Sequence, residues 1–133
     1  MRPGPAEVPA RAATTLLLDA GGARLEWARL EADGHGAVAT ARHHALPAAH
    51  WQRELAAAGR PARLVVANVA GEAFARALAA WSRDAWDLDP EFVVVRERVG
   101  GLSLAGGAPG VDRWLAMLAA WRAAQRACVV VVA

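Results

Sequence analysis

Two carboxylates in this chain stand where they could do chemistry, and each has a glycine two residues away. Asp19-Ala20-Gly21-Gly22 closes a short apolar run, Thr14 to Asp19. A carboxylate at the end of a buried strand can hold a metal ion or the water around it. Glycines beside it let backbone amides approach phosphate oxygens without side-chain obstruction. Read alone, a tight strand-to-strand turn accounts for the same residues. Gly110-Val111-Asp112-Arg113 opens the strongest helical pattern in the chain. Asp112 in a first turn is favoured by the helix dipole whatever its function. Arg113 is not favoured there, and its guanidinium could grip a carboxylate or phosphate. A third stretch, Asn68-Val69-Ala70-Gly71, lies where a strand feeds a helix. Open parallel sheets bind ligands at such junctions, but they also need a turn there.

Other constellations are weaker. His43, His44 and His50 do not follow a structural zinc spacing, and Cys128 is remote from them. The chain's two serines lie outside any nucleophile-elbow motif, so no Ser-His-Asp arrangement is readable. Trp27, Trp51, Trp81, Trp86, Trp114 and Trp121 fall mostly on helical stripes, which points to core or interface rather than to base stacking.

The elements that must position these residues follow from hydrophobic period. Thr14–Asp19 is short and apolar with glycines behind it, which predicts a buried strand. Ala23–Gly34, ARLEWARLEADG, is closed by the turn signal Asp33-Gly34, and its Ala, Arg, Leu and Glu residues allow a helix on propensity alone. Gly36–His44 alternates weakly and suggests another strand. Pro47–Ala58 predicts a helix with Trp51 and Leu55 one turn apart and Gly59 as its stop. Arg63–Asn68 and Phe92–Val95 predict buried strands. Gly71–Trp86 predicts a helix burying Phe74, Leu78 and Trp81. Val99–Gly110 is a glycine-rich loop, and Val111–Gln125 a helix with Val111, Trp114, Leu115, Leu118 and Trp121 on one stripe. Cys128–Val132 is expected as a final strand. Alternating strands and helices in the second half imply a parallel sheet with right-handed crossovers. Pro3, Pro5 and Pro9 predict a disordered leader over residues 1–12.

Composition narrows the function classes. Of 133 residues, 56% are hydrophobic, which excludes disorder as the main state. A net charge of +2 argues against a nucleic-acid binder working through a broad basic face. A single cysteine cannot form an internal disulfide. No apolar run approaches the ~18 residues of a membrane span, so a cytoplasmic protein without membrane contact is expected.

Taken together and in order, LLLDAGGARLEWARL, VVANVAG, FVVVR and GVDRWLAMLAAW resemble the type III pantothenate kinases, the family that includes the Bvg accessory factors. The resemblance covers residues 14 to 133. It implies an α/β fold of the actin/hexokinase/Hsp70-like (ribonuclease H-like) kind, with residues 13–133 as its N-terminal lobe. It also implies three antiparallel strands followed by alternating helices and parallel strands, so that ARLEWARLE becomes a strand against its propensity. The implied activity is ATP-dependent phosphorylation of pantothenate, the first step of coenzyme A synthesis, by a homodimer. The implied cofactors are ATP, Mg2+ and a monovalent cation, K+ or NH4+.

Carried over by motif, Asp19, Ala20, Gly21, Gly22, Ala23 and Arg24 would hold the phosphates of ATP, with Asp19 acting on the metal through water. Asp112 would be the general base, and Gly110, Val111, Asp112 and Arg113 would shape the pantothenate side. The chain departs from the family pattern in three places. Gly22 and Ala23 replace an Asn and a hydroxyl residue. The stretch SLAGGAP lacks the family's Asn-x-Tyr. The second phosphate motif, D-x-G-T, is due after Cys128, where this sequence reads VVVVA. A chain cut short, missing the second lobe and weak or inactive alone, is therefore expected. The alternatives are a non-catalytic remnant or regulator acting through protein contacts, and a generic nucleotide-binding module.

Overall fold

The computed structural model describes residues 14–131, and the expected leader lies outside them. The chain forms two compact units that meet in sequence at Phe92 and Val93.

The first unit is built on a mixed sheet. Strand β1 (Thr15–Ala20) pairs antiparallel with β2 (Arg24–Glu31) and parallel with β5 (Arg63–Asn68). Beyond β2 lie β3 (Gly34–His35) and β4 (Ala39–Arg42), both antiparallel to it. They act as one neighbour interrupted at residues 36–38. Beyond β5 lies β6 (Glu91–Phe92), parallel to it. The α/β arrangement inferred above is thus observed, and RLEWARLE, Arg24–Glu31, is a strand. Leu25 and Trp27 alternate inward with period two, and β2 has partners on both sides. Ladder pairing and burial override the helical propensity of its residues.

Register decides what each sheet face carries. Leu16, Leu18 and Ala20 of β1 align with Leu64, Val66 and Asn68 of β5. The alternation buries Leu16, Leu18, Leu25, Trp27, Leu64 and Val66 on one face. Helices α1 (Ala48–Ala56) and α2 (Glu72–Trp86) add their apolar stripes to the same core, through Trp51 and Leu55 and through Phe74, Leu78 and Trp86. Four aromatic contacts run through this core: His43–Phe74 at 5.1 Å, Phe74–Trp51 at 5.3 Å, Trp51–Trp81 at 5.8 Å and Trp81–Trp86 at 4.6 Å.

Polar contacts fix the ends. Gly59 has φ +80°, and α1 stops before it as its composition predicts. The Arg29 guanidinium donates to the Ala58 and Gly59 carbonyls beyond that helix end, and to Thr14 Oγ1 at 2.6 Å. Glu91 accepts two bonds from the Arg63 guanidinium, 2.9 and 2.6 Å, which pins β6 to β5. Those bonds hold the Glu91 carboxyl below its ordinary range. The fully buried Ser82 hydroxyl donates to the Leu88 carbonyl at 2.6 Å and ties down the chain leaving α2.

Asp87 caps α2 in the left-handed region, φ 51°. An L-residue there costs about 1–2 kcal/mol, and glycine gives back about 0.5–1 kcal/mol in chain entropy. Asp87→Gly is therefore expected to raise the unfolding free energy by about 0.5–1 kcal/mol in urea titration.

The second unit holds helix α3 (Val111–Ala124) and a small hairpin, β7 (Arg98–Val99) with β8 (Leu102–Ser103). Gly100 and Gly101 both have positive φ, +58° and +87°, as a type I′ turn requires. The Trp121 indole N–H donates to the Gly100 carbonyl at 2.9 Å, and the ring packs over Gly101.

Three expectations need correction. The glycine-rich loop contains this hairpin. The strand expected over Phe92–Val95 pairs only at Glu91–Phe92, and Val94 is 69% exposed. The strand expected over Cys128–Val132 does not form within residues 128–131, where Val129 is 91% exposed. β-Branched residues favour a strand only where a ladder meets them; the pairing with β5 stops at Phe92, and residues 128–131 pair with no strand among the described residues.

Candidate functional site

The first predicted group lies together at the β1–β2 hairpin. Asp19 is exposed on β1, on the face opposite the core, and Ala20 beside it is buried. Gly21, Gly22, Ala23 and Arg24 follow as the connection. The Gly21 amide donates to the Arg24 carbonyl at 2.9 Å, which closes a loop with only Gly22 and Ala23 inside it. Among the described residues, no protein acceptor takes the amides of Gly22 or Ala23.

The two glycines are not equivalent. A Cβ on Gly21 would meet the Arg24 carbonyl oxygen at 3.3 Å, whereas one on Gly22 would meet nothing within 4 Å. Gly22 also lies outside the left-handed region. Gly21→Ala is expected to cost about 1 kcal/mol, because a backbone atom must shift. Gly22→Ala should stay within about 0.5 kcal/mol. Urea denaturation of both variants checks the contrast.

Register adds a residue that the sequence did not single out. Glu26 stands directly opposite Asp19 across β1–β2, and Thr40 stands opposite Glu26 across β2–β4. Like charges facing each other on neighbouring strands destabilise a sheet. Oxygen donors in such a pair suit Mg2+, which takes one or two carboxylates and keeps waters and phosphate oxygens as its other ligands. Among the described residues, no group of three or more His, Cys, Asp or Glu could hold a metal by itself. The donor set therefore fits a cation that arrives with phosphates, not a cage built by protein alone.

Arginines repeat the pattern one step along. Arg24 faces Arg42 across β2–β4, and neither has an ion-pair partner among the described residues. With Ala23, Thr40, His50 and Glu54 they line an open groove of about 510 Å³ beside the turn.

His43 meets the β1–β2 turn instead of a metal cluster. Its Nε2 lies 2.6 Å from the Gly21 carbonyl, and its ring packs on Phe74. Its backbone amide donates to the Ala23 carbonyl at 2.9 Å. A 22-residue separation hides this contact from any local reading.

The β5–α2 junction resolves the third candidate. Asn68 Oδ1 accepts from the Ala70 amide and Nδ2 donates to the Gly71 carbonyl, both at 3.0 Å. Its side chain is thus engaged in the turn itself. The Val69 amide donates to the Ala20 carbonyl at 2.9 Å, which joins this turn to the end of β1.

The second predicted group forms the first turn of α3. Gly110 is the N-cap, Val111 is buried, Asp112 is half-exposed and Arg113 is exposed. Asp112 Oδ1 accepts the Arg113 amide at 2.8 Å, which orients the carboxylate on the helix start. Trp114 is buried, and Leu115, Leu118 and Trp121 are half-buried along the expected stripe.

Comparison with known proteins places this chain among one group. A family model described as type III pantothenate kinase matches residues 15–133. A type III pantothenate kinase of Nitrosococcus oceani is 36% identical over 113 residues, covering 78% of this chain and 41% of that protein. Another, of Nitrosomonas eutropha, is 36% identical over 74 residues, covering 53% of this chain and 28% of that protein. The chain thus spans less than half the length of these curated relatives.

Proposed function

Because the chain belongs to the type III pantothenate kinase family, we propose that it carries part of the active site for ATP-dependent phosphorylation of pantothenate. The observation that supports this reading most is the β1–β2 turn. There an acidic strand end stands beside two amides that have no protein acceptor among the described residues. Such amides make a concave anion site of the kind that phosphate oxygens occupy.

Phosphoryl transfer needs position, charge neutralisation and an oriented nucleophile. In the proposed reaction, the terminal hydroxyl oxygen of pantothenate bonds to the γ-phosphorus. The bond from that phosphorus to the β–γ bridging oxygen breaks, and ADP leaves. Asp112 takes the hydroxyl proton as general base. Gly110 and Val111 bring backbone to the pantothenate side, and Arg113 offers a fork of donors to its carboxylate. Ala20, Gly21, Gly22 and Ala23 present backbone to the phosphates, and Arg24 adds a positive charge beside them. Asp19, with Glu26 opposite, would hold Mg2+ through its waters, and that ion supplies charge neutralisation when bound. The family resemblance adds K+ or NH4+, a homodimer and a cytoplasmic setting to the proposal.

The test is direct. Purified protein is incubated with ATP, Mg2+ and pantothenate, and phosphopantothenate is followed by mass spectrometry. Binding of Mg·ADP is measured by calorimetry alongside. Mg·ADP binding is expected from this chain with weak or no product formation, and any product should appear with 1:1 release of ADP. Absence of both nucleotide binding and product would sink the proposal.

A further inference from the structure

We propose that His43 is a positioning residue of the phosphate turn, holding the Gly21 peptide so that the amides after it face a bound anion. This rests on the reading of the β1–β2 turn as a phosphate site.

The argument starts from the Gly21 carbonyl. A carbonyl oxygen only accepts, so His43 must carry its proton on Nε2 to make the 2.6 Å contact. In a trans peptide the carbonyl and the following N–H point in opposite directions. Fixing the Gly21 oxygen toward His43 therefore turns the Gly22 N–H away from it. The backbone of the same segment repeats the device. The Ala23 carbonyl accepts from the amides of His43 at 2.9 Å and His44 at 3.3 Å. The Arg24 carbonyl is engaged by Gly21. Three carbonyls of the turn are thus occupied by protein donors, while the amides of Gly22 and Ala23 are not taken by protein acceptors among the described residues. A turn sorted in this way, acceptors inward and donors outward, suits an anion and not a cation.

The imidazole is itself held. Its ring lies 5.1 Å from that of Phe74, tilted by 40°, and Phe74 is buried in the first turn of α2. Trp51 backs Phe74 at 5.3 Å. A donor wedged against a rigid aromatic support does not reorganise when a ligand arrives. Gly22 and Ala23 carry no polar side chains, so backbone amides are the groups this turn can offer an anion.

Three measurements on the 15N-labelled chain test this. The first is the tautomer of His43, read from its ring nitrogen shifts; protonation at Nε2 is expected. The second is the backbone order of Gly22 and Ala23 in His43→Phe and His43→Gln. His43→Phe keeps a ring on Phe74 and removes the donor. Order parameters are expected to fall from about 0.85 toward 0.6 in it and to recover in His43→Gln, whose amide can donate. The third is Mg·ADP affinity, expected to fall about three- to tenfold in His43→Phe. A proton on Nδ1, or unchanged order in His43→Phe, overturns the proposal. Loss of order with unaltered ADP affinity overturns it too. If the unsubstituted chain does not bind ADP, the nucleotide reading of the turn fails, and the positioning role is decided by tautomer and order alone.

Discussion

On the proposed kinase reading, Asp112→Asn is expected to lower any phosphopantothenate formation by about 10²–10⁴-fold, the usual worth of a positioned general base. The substitution suits the local geometry. Asp112 Oδ1 accepts the Arg113 amide at 2.8 Å, and an asparagine oxygen can make the same bond. The start of α3 therefore keeps its shape, and so do the flanking Gly110 and Arg113. What disappears is the ability to accept a proton from the hydroxyl. The loss should fall on kcat and kcat/KM together, because the proton moves only in the transition state. The KM for ATP should change little. Asp112→Ala removes the helix-start bond as well and is expected to lower stability in addition. Turnover that survives Asp112→Asn would remove this residue as the base. A loss confined to the KM for pantothenate would make it a binding group instead.

The legibility of this chain varied for physical reasons. The place of Asp112 could be read because a helix start is a local event, marked by Gly110 before it and by the apolar stripe after it. The place of Asp19 could be read because a strand end and a glycine turn are adjacent in sequence. Glu26 could not, since only the β1–β2 register sets it opposite Asp19. His43 was judged by metal spacing, a local test, although its contact reaches Gly21 across the hairpin. Strand β2 shows the opposite failure. Its residues favour a helix singly, and the alternation of Leu25 and Trp27 was the better signal. Val93–Val95 and Val129–Val131, which pair with no strand among the described residues, show that propensity without a ladder does not make a strand. The hairpin at Gly100-Gly101 was readable, since two glycines between Val99 and Leu102 are a type I′ signature.

The fold and the site are coupled through Trp51, and Trp51→Ala is expected to show it. Trp51 is 3% exposed on α1, between Phe74 and Trp81. Removing a buried Trp costs about 3–5 kcal/mol, transfer and cavity together. Domains of this size hold about 5–15 kcal/mol in total, so the variant keeps only part of its margin. Its urea midpoint should fall sharply. A second effect separates this site from ordinary core damage. Phe74 loses its backing ring, and His43 in turn rests on Phe74. The Gly22 amide of the folded protein should therefore shift and lose order.

Leu55→Ala is the matched control. It lies on the same helix, is fully buried, and costs about 2–5 kcal/mol, yet it has no place in the aromatic series. Both variants should lose stability, but only Trp51→Ala should disturb the turn. Equal disturbance at Gly22 in the two would mean that the turn responds to overall stability. No disturbance in either would mean that the ring series carries packing energy alone. The expected split would place the support of the β1–β2 turn in the rings behind it, one helix away from the strands that form it.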